Sequence, residues 1–227
     1  MAAGLPDRAG YFALWSQLHG GYDPQGAFWP RNWLTLSYYC ARPLARRDVP
    51  PDAVTAAGGL VSGIVVALAA LGDRWPLLAV AVVVASGLLD SVDGAVAVLT
   101  GRSTAFGYVL DSLVDRLSDG AYLVALWLLG APAWLCVLAG VVTMMQEYLR
   151  ARAGNAGLTE LGVVTVAERP TRVIITAFAL FGAGAVPDHG AAAVTVGAAV
   201  WLALGTGGFG QLAGSVRRDL PGDGSAQ

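Results

Sequence analysis

The sequence predicts an all-α, polytopic membrane protein with six transmembrane helices and a preceding helix that lies in the membrane interface. Three observations carry this reading. Hydrophobic residues make up 56% of the chain and charged residues only 13%, with a mean hydropathy of +0.59, too little charge to coat a soluble domain of this size. The apolar residues fall into long runs separated by short breaks containing Gly, Pro, Asp or Arg. The basic residues, all of them arginine, concentrate in alternate breaks, the asymmetry expected across a bilayer.

Each element follows from its own composition. Residues 1–28 mix polar and aromatic side chains without the charged-then-apolar layout of an export signal, and read as a cytoplasmic extension. Trp29 to Arg47 interleaves Trp, Tyr and Leu with Arg42, Arg46 and Arg47. That mixture suits a helix in the interface, its rings at headgroup level. A hydrocarbon core of about 30 Å needs roughly 20 apolar residues per helix. The segments at about 53–72, 76–99, 104–129, 132–150, 170–186 and 190–213 meet that need. Gly72-Asp73-Arg74, Gly101-Arg102-Ser103, Gly130-Ala131-Pro132 and Pro187-Asp188-His189 break the chain between them, as does the longer polar stretch 151–169. Residues 29–215 form the membrane domain, and 216–227 read as a disordered cytoplasmic tail.

Arginine placement gives the orientation. Arg42, Arg46 and Arg47 precede the first span, Arg102 joins the second to the third, and Arg150, Arg152, Arg169 and Arg172 flank the break between the fourth and fifth. Arg217 and Arg218 follow the sixth span, whereas Arg74 stands alone on the other side. Positive charge collects in cytoplasmic loops, so both termini are expected inside a cell membrane crossed several times. The net charge of -2 argues against a nucleic-acid partner. Cys40 and Cys136 are too few for a disulfide framework or a zinc site.

Carboxylates then appear where they are expensive. Asp90, Asp93, Asp111 and Asp115 lie within otherwise apolar spans, and each costs at least about 2.5 kcal/mol in a membrane even on a lenient scale. Asp90 and Asp93 are three apart and Asp111 and Asp115 four apart, so each pair occupies one helical face. The two spans form an antiparallel hairpin through Arg102, which lets the four converge at one depth near the cytoplasmic side. Four oxygen donors without His or Cys suit a hard cation, Mg²⁺ or Mn²⁺. Such ions bridge carboxylates to substrate phosphates. Gly94 leaves room beside Asp93 for a substrate to approach the backbone.

These residues resemble a known signature. Asp90-x-x-Asp93-Gly94-x-x-Ala97, eight intervening positions after the next residue, and Gly107-x-x-x-Asp111-x-x-x-Asp115 are similar to the D-x-x-D-G-x-x-A-R…G-x-x-x-D-x-x-x-D pattern of the CDP-alcohol phosphotransferases. The resemblance implies a six-helix membrane enzyme, usually a homodimer. It would transfer a phosphatidyl group from a CDP-linked lipid such as CDP-diacylglycerol to a polar alcohol, in phospholipid biosynthesis. It further implies that Asp90, Asp93, Asp111 and Asp115 hold two Mg²⁺ (or Mn²⁺) ions, with Asp90 and Asp111 shared. Asp115 would also be the catalytic base. Asp52-Ala53-Val54-Thr55, with Gly94 and Thr104, falls at nucleotide-contacting positions. Asp115-Arg116-Leu117-Ser118-Asp119-Gly120, Arg150-Ala151-Arg152-Ala153 and Glu168-Arg169-Pro170-Thr171-Arg172 look most like actinobacterial phosphatidylinositol-phosphate synthases. There Arg150, Arg152, Arg169 and Arg172 would bind a phosphorylated acceptor, inositol phosphate or glycerol phosphate, through charge-assisted bonds. Two positions depart from the pattern: Val98 stands where the signature has arginine, and Leu212 lies near where the synthases tend to carry another; Arg102, four residues beyond Val98, would reach the same region if the helix continues.

Two other classes use acidic membrane helices. Intramembrane prenyltransferases also bind Mg²⁺ and a pyrophosphate, but their Asp-rich motifs are usually far apart, whereas Asp93 and Asp111 share one hairpin. A cation-binding membrane protein, or a family member without turnover, is the non-enzymatic alternative.

Overall fold

The computed structural model describes residues 5–158 and 164–220, so part of the polar stretch 151–169 and most of the expected tail lie outside the described residues. Eight α-helices run in order: α1 (Arg8–Leu18), α2 (Phe28–Arg46), α3 (Pro51–Leu71), α4 (Trp75–Thr100), α5 (Ala105–Leu128), α6 (Ala133–Asn155), α7 (Arg169–Ala185) and α8 (Gly190–Asp219). Short 3-10 turns at Pro24–Gly26 and Pro187–His189 complete the described elements, among which there is no strand. The all-helical class is therefore as the sequence indicates, and α3 to α8 follow the six apolar segments within a few residues.

The breaks fall where glycine can take a left-handed backbone. Gly101 has φ +65°, and the N–H of Arg102 reaches back to the Ala97 carbonyl at 3.0 Å. This is the closing bond of a Schellman turn, and it stops α4 at the end of the aspartate-bearing segment. Gly130 (φ +109°) does the same for α5, the Ala131 N–H bonding the Leu126 carbonyl at 3.0 Å.

Three segments are long and apolar enough to cross a membrane: Pro51–Leu71, Trp75–Thr100 and Pro187–Asp219. The expectation of six such segments is not met by length and composition alone, and the reason is local. α5 carries Asp111, Asp115, Arg116 and Asp119, α6 carries Glu147, Arg150 and Arg152, and α7 has only 17 residues. Two terminal readings also change. Within residues 1–28, read only as an extension, α1 is helical and capped by the Asp7 carboxylate, which accepts the Gly10 N–H at 2.8 Å. The tail placed at 216–227 begins within α8, which continues to Asp219.

The chain divides into two compact units, Met1–Val61 with Val84–Leu117, and Ser62–Val83 with Ser118–Gln227. In the first, Tyr11 and Phe12 of α1 and Leu34, Tyr38, Ala41 and Ala45 of α2 pack with Val54, Val92, Ala95, Val96 and Leu99. The Tyr11 and Tyr38 rings lie 5.6 Å apart, and Trp33 Nε1–H of α2 donates to Ser91 Oγ of α4 at 2.8 Å. In the second, Tyr122, Leu126, Leu180, Val194 and Trp201 are central, with Val65 and Val83. Small residues bring α7 and α8 together there: a Cβ on Gly197 would lie 2.5 Å from that of Ala179, the close approach that packs helices in lipid.

Candidate metal centre and nucleotide cavity

The first unit holds the acidic site. Asp90 on α4 and Asp111 and Asp115 on α5 bring one carboxylate oxygen each to within 4.8 Å of one another, all three side chains half-buried. Oxygens opposite each other on one Mg²⁺ lie about 4.2 Å apart, given metal–oxygen distances near 2.1 Å. The gathering thus fits a small hard cation with little adjustment, and an all-oxygen donor set selects that class. Like charges this close are mutually costly without such an ion. Arg116, whose guanidinium is 3.5 Å from Asp115, offsets only part of that charge.

Asp93 is the fourth acid, and it sits slightly apart. Only 6% exposed, it accepts the Gly94 N–H at 2.6 Å. Together with Asp111 it lines a cavity of about 240 Å³ with Asp52, Thr55, Gly94 and Thr104. Local sequence explains this wall. Thr104 caps α5, its hydroxyl accepting the Gly107 N–H at 2.9 Å, a bond that satisfies one of the helix's free donors. A Cβ on Gly107 would come within 3.0 Å of Asp52 Oδ1 and 3.1 Å of Thr104 Oγ1, so glycine there keeps the wall thin. Gly94 has open space where a Cβ would be.

Of the nucleotide positions, Asp52, Thr55, Gly94 and Thr104 line this cavity. Ala53 is exposed and Val54 is buried in the first unit's core, as helical periodicity requires of neighbours of Asp52 and Thr55. Arg102 is the residue that the sequence offers in place of the signature arginine missing at Val98. It lines the same cavity and is held by Asp48 at 2.8 Å. Its place in the loop one helical turn beyond Val98 was the available signal. Val98 itself is half-buried against the apolar core.

The later arginines belong to the second unit. Arg150 pairs with Glu168 at 2.9 Å. Glu168 also accepts the N–H and hydroxyl of Thr165, each at 2.9 Å, and Gln146 donates to Thr165 Oγ1 at 2.7 Å. Burial pushes the Glu168 carboxyl upward, but the Thr165 and Arg150 contacts outweigh it and hold the group below the ordinary glutamate value. Arg172 is 5% exposed; its guanidinium donates to the Ala167 carbonyl at 3.1 Å and lies 3.3 Å from Asp119. Asp119, which follows the signature by one helical turn, thereby acquires a partner that spacing alone did not reveal. Arg152 is exposed and Arg169 half-buried. Leu212 is fully buried beside Ala153 and Val216.

Clustered acids at a capped helix hairpin, beside a cavity walled by glycine and threonine, define a class that the sequence profile also finds. The profile of CDP-alcohol phosphatidyltransferases matches residues 49–207, and the chain belongs to that family of membrane phosphotransferases. Among its relatives, the archaetidylinositol phosphate synthase of Methanothermobacter thermautotrophicus is 39% identical over 135 residues, 59% of this chain and 67% of that protein. The phosphatidylinositol phosphate synthase of Mycobacterium marinum is 39% identical over 153 residues, 63% and 62% of the respective lengths. The fold is similar to that of Mycobacterium tuberculosis phosphatidylinositol phosphate synthase crystallised with CDP-DAG, with a TM-score of 0.66 and 29% identity over 82% of this chain and 95% of that one. A second structure of that enzyme, in complex with manganese and citrate, matches equally well, covering 90% of its own chain. Family membership sets aside the prenyltransferase alternative.

Proposed function

We propose that this protein transfers the phosphatidyl group of CDP-diacylglycerol to a phosphorylated alcohol, inositol phosphate before glycerol phosphate, and releases CMP. The observation that carries this reading is the meeting of Asp90, Asp111 and Asp115 next to the cavity that Asp93 shares with Asp52, Thr55, Gly94 and Thr104. The names of the relatives favour inositol phosphate.

The carboxylates would hold two divalent ions, Asp90 and Asp111 in common, with Asp93 completing the set from the cavity side. When bound, such ions polarise the pyrophosphate and neutralise charge on the departing CMP. Asp115 takes the proton from the acceptor hydroxyl. The acceptor oxygen then forms a bond to the β-phosphorus, and the bond from that phosphorus to the CMP oxygen breaks. Thr55, Gly94 and Thr104 position the nucleotide. Arg102, carried on the Gly101 turn, supplies the pyrophosphate with the positive charge that Val98 lacks. The acceptor phosphate is bound by the arginines of the later segments, Arg150, Arg152, Arg169 and Arg172, through charge-assisted bonds.

In this reading α3 to α8 are six spans, residues 29–215 form the enzyme domain, and both termini and the site face the cytoplasm of a homodimer in the cell membrane. The α5 carboxylates are accommodated in a span because they face ions and not acyl chains. The test is CMP release from CDP-diacylglycerol with inositol phosphate, glycerol phosphate or uncharged inositol as acceptor. Turnover should require metal and be fastest with inositol phosphate. Absence of CMP with both phosphorylated acceptors would overturn the proposal.

A further inference from the structure

The amino-terminal region outside the family match contains a second polar cleft. About 380 Å³ in volume, it is lined by Arg8 and Phe12 of α1, Gln25 of the 3-10 turn, and Arg31, Asn32 and Thr35 of α2. Its base is fixed: Phe12 is 6% exposed and Tyr11 only 1%, so α1 is anchored to α2 by its own apolar side. Its charge is unbalanced. The two acids nearest in sequence are engaged by backbone, Asp7 accepting the Gly10 N–H at 2.8 Å and Asp23 the Gln25 N–H at 2.9 Å. Neither Arg8 nor Arg31 has an ion-pair partner among the described residues. Asn32 and Thr35 donate to the Phe28 and Arg31 carbonyls, which holds this turn of α2 in place, and the two guanidinium groups are the cleft's charged donors.

The setting indicates which anion. Phe28 (64% exposed), Trp29 (79%) and Trp33 (40%) surround Arg31 in sequence on α2, and such rings favour the headgroup layer of a bilayer. Two guanidinium groups that line one cleft, one of them set among these rings, match the phosphate of an anionic lipid. We propose that the cleft between α1 and α2 is a binding site for the phosphate of an anionic phospholipid headgroup, with Arg8 and Arg31 as its donors. The site is separate from the aspartate cluster and does not depend on the transferase reading.

The full-length protein in phosphatidylcholine nanodiscs, with and without phosphatidylglycerol, provides the test, with bound lipid counted by native mass spectrometry. The double variant R8Q/R31Q should hold phosphatidylglycerol about 30-fold more weakly, from about 1 kcal/mol per arginine at a tenfold change per 1.4 kcal/mol. The charge-matched variant R46Q/R47Q, altered on α2 and its cap outside the cleft, should retain most of the affinity. Equal losses in the two variants, or none in either, would overturn the assignment. So would displacement of the lipid by millimolar inorganic phosphate, which would make the cleft a site for the free anion.

Discussion

The two units handle charge in opposite ways. In the first, Asp90, Asp111 and Asp115 are gathered within 4.8 Å, an arrangement unfavourable by itself. In the second, the buried Asp119 lies 3.3 Å from Arg172 and the half-buried Glu168 lies 2.9 Å from Arg150, each acid matched by a base. Matched charge in an apolar setting holds a fold together at little net gain, whereas carboxylates crowded together favour a bound cation. The contrast separates residues that serve chemistry from residues that serve structure, and four substitutions test it.

The largest effect belongs to the clustered acids. D115N should lower CMP release by about 10²–10⁴-fold while the protein stays folded, the range for loss of a general base. Retained turnover in a folded variant would remove Asp115 from that role. Among the matched acids the effect falls on stability. D119L leaves the buried Arg172 without the carboxylate of Asp119, and should cost about 3–5 kcal/mol, whereas the double variant D119L/R172M should recover most of that loss. Thermal unfolding in detergent distinguishes the two; a D119L protein as stable as wild type would contradict the structural assignment.

Intermediate effects are expected at the cavity rim. R102A should raise the KM for CDP-diacylglycerol by about 10–100-fold, as for losing a bond to a charged group, with a smaller change in kcat. If the substitution V98R added to R102A restores the KM, the two positions serve the same pyrophosphate. No change in KM would leave Arg102 as the partner of Asp48 only.

The smallest effect is at Glu168. E168Q should cost about 1–3 kcal/mol by weakening three bonds. The folded protein holds this carboxyl below its ordinary value of 4.5. Its contribution is therefore complete above that value and is lost as pH falls through the folded-state value. Acidification below about 4.5 should narrow the gap between wild type and E168Q, and melting curves at pH 7 and at acid pH would detect it. A constant gap would place the benefit of Glu168 in packing.

Much of this was legible in the chain. Apolar run length and Gly72, Gly101 and Gly130 marked the ends of α3 to α5, because glycine admits the left-handed turn that closes a helix. Helical spacing placed Asp111 and Asp115 on one face of α5, and the resemblance to the family's pattern pointed to Asp52 and Thr55 on α3. What escaped depends on contacts distant in sequence. The pairing of Asp119 with Arg172 joins α5 to α7, and no local periodicity encodes it. The hold of Asp48 on Arg102 links residues 54 apart, and Asp48 had no feature marking it as that partner. α1 was missed because 11 residues with mixed polarity form a helix only when Tyr11 and Phe12 can be buried against α2.

Manganese titration of the purified protein, followed by electron paramagnetic resonance, is the most direct measurement on the acidic cluster. Wild type should bind Mn²⁺ in competition with Mg²⁺, and D90N and D111N should each weaken that binding at least tenfold, while E168Q binds as wild type does. Undiminished Mn²⁺ affinity in both aspartate variants would contradict the account.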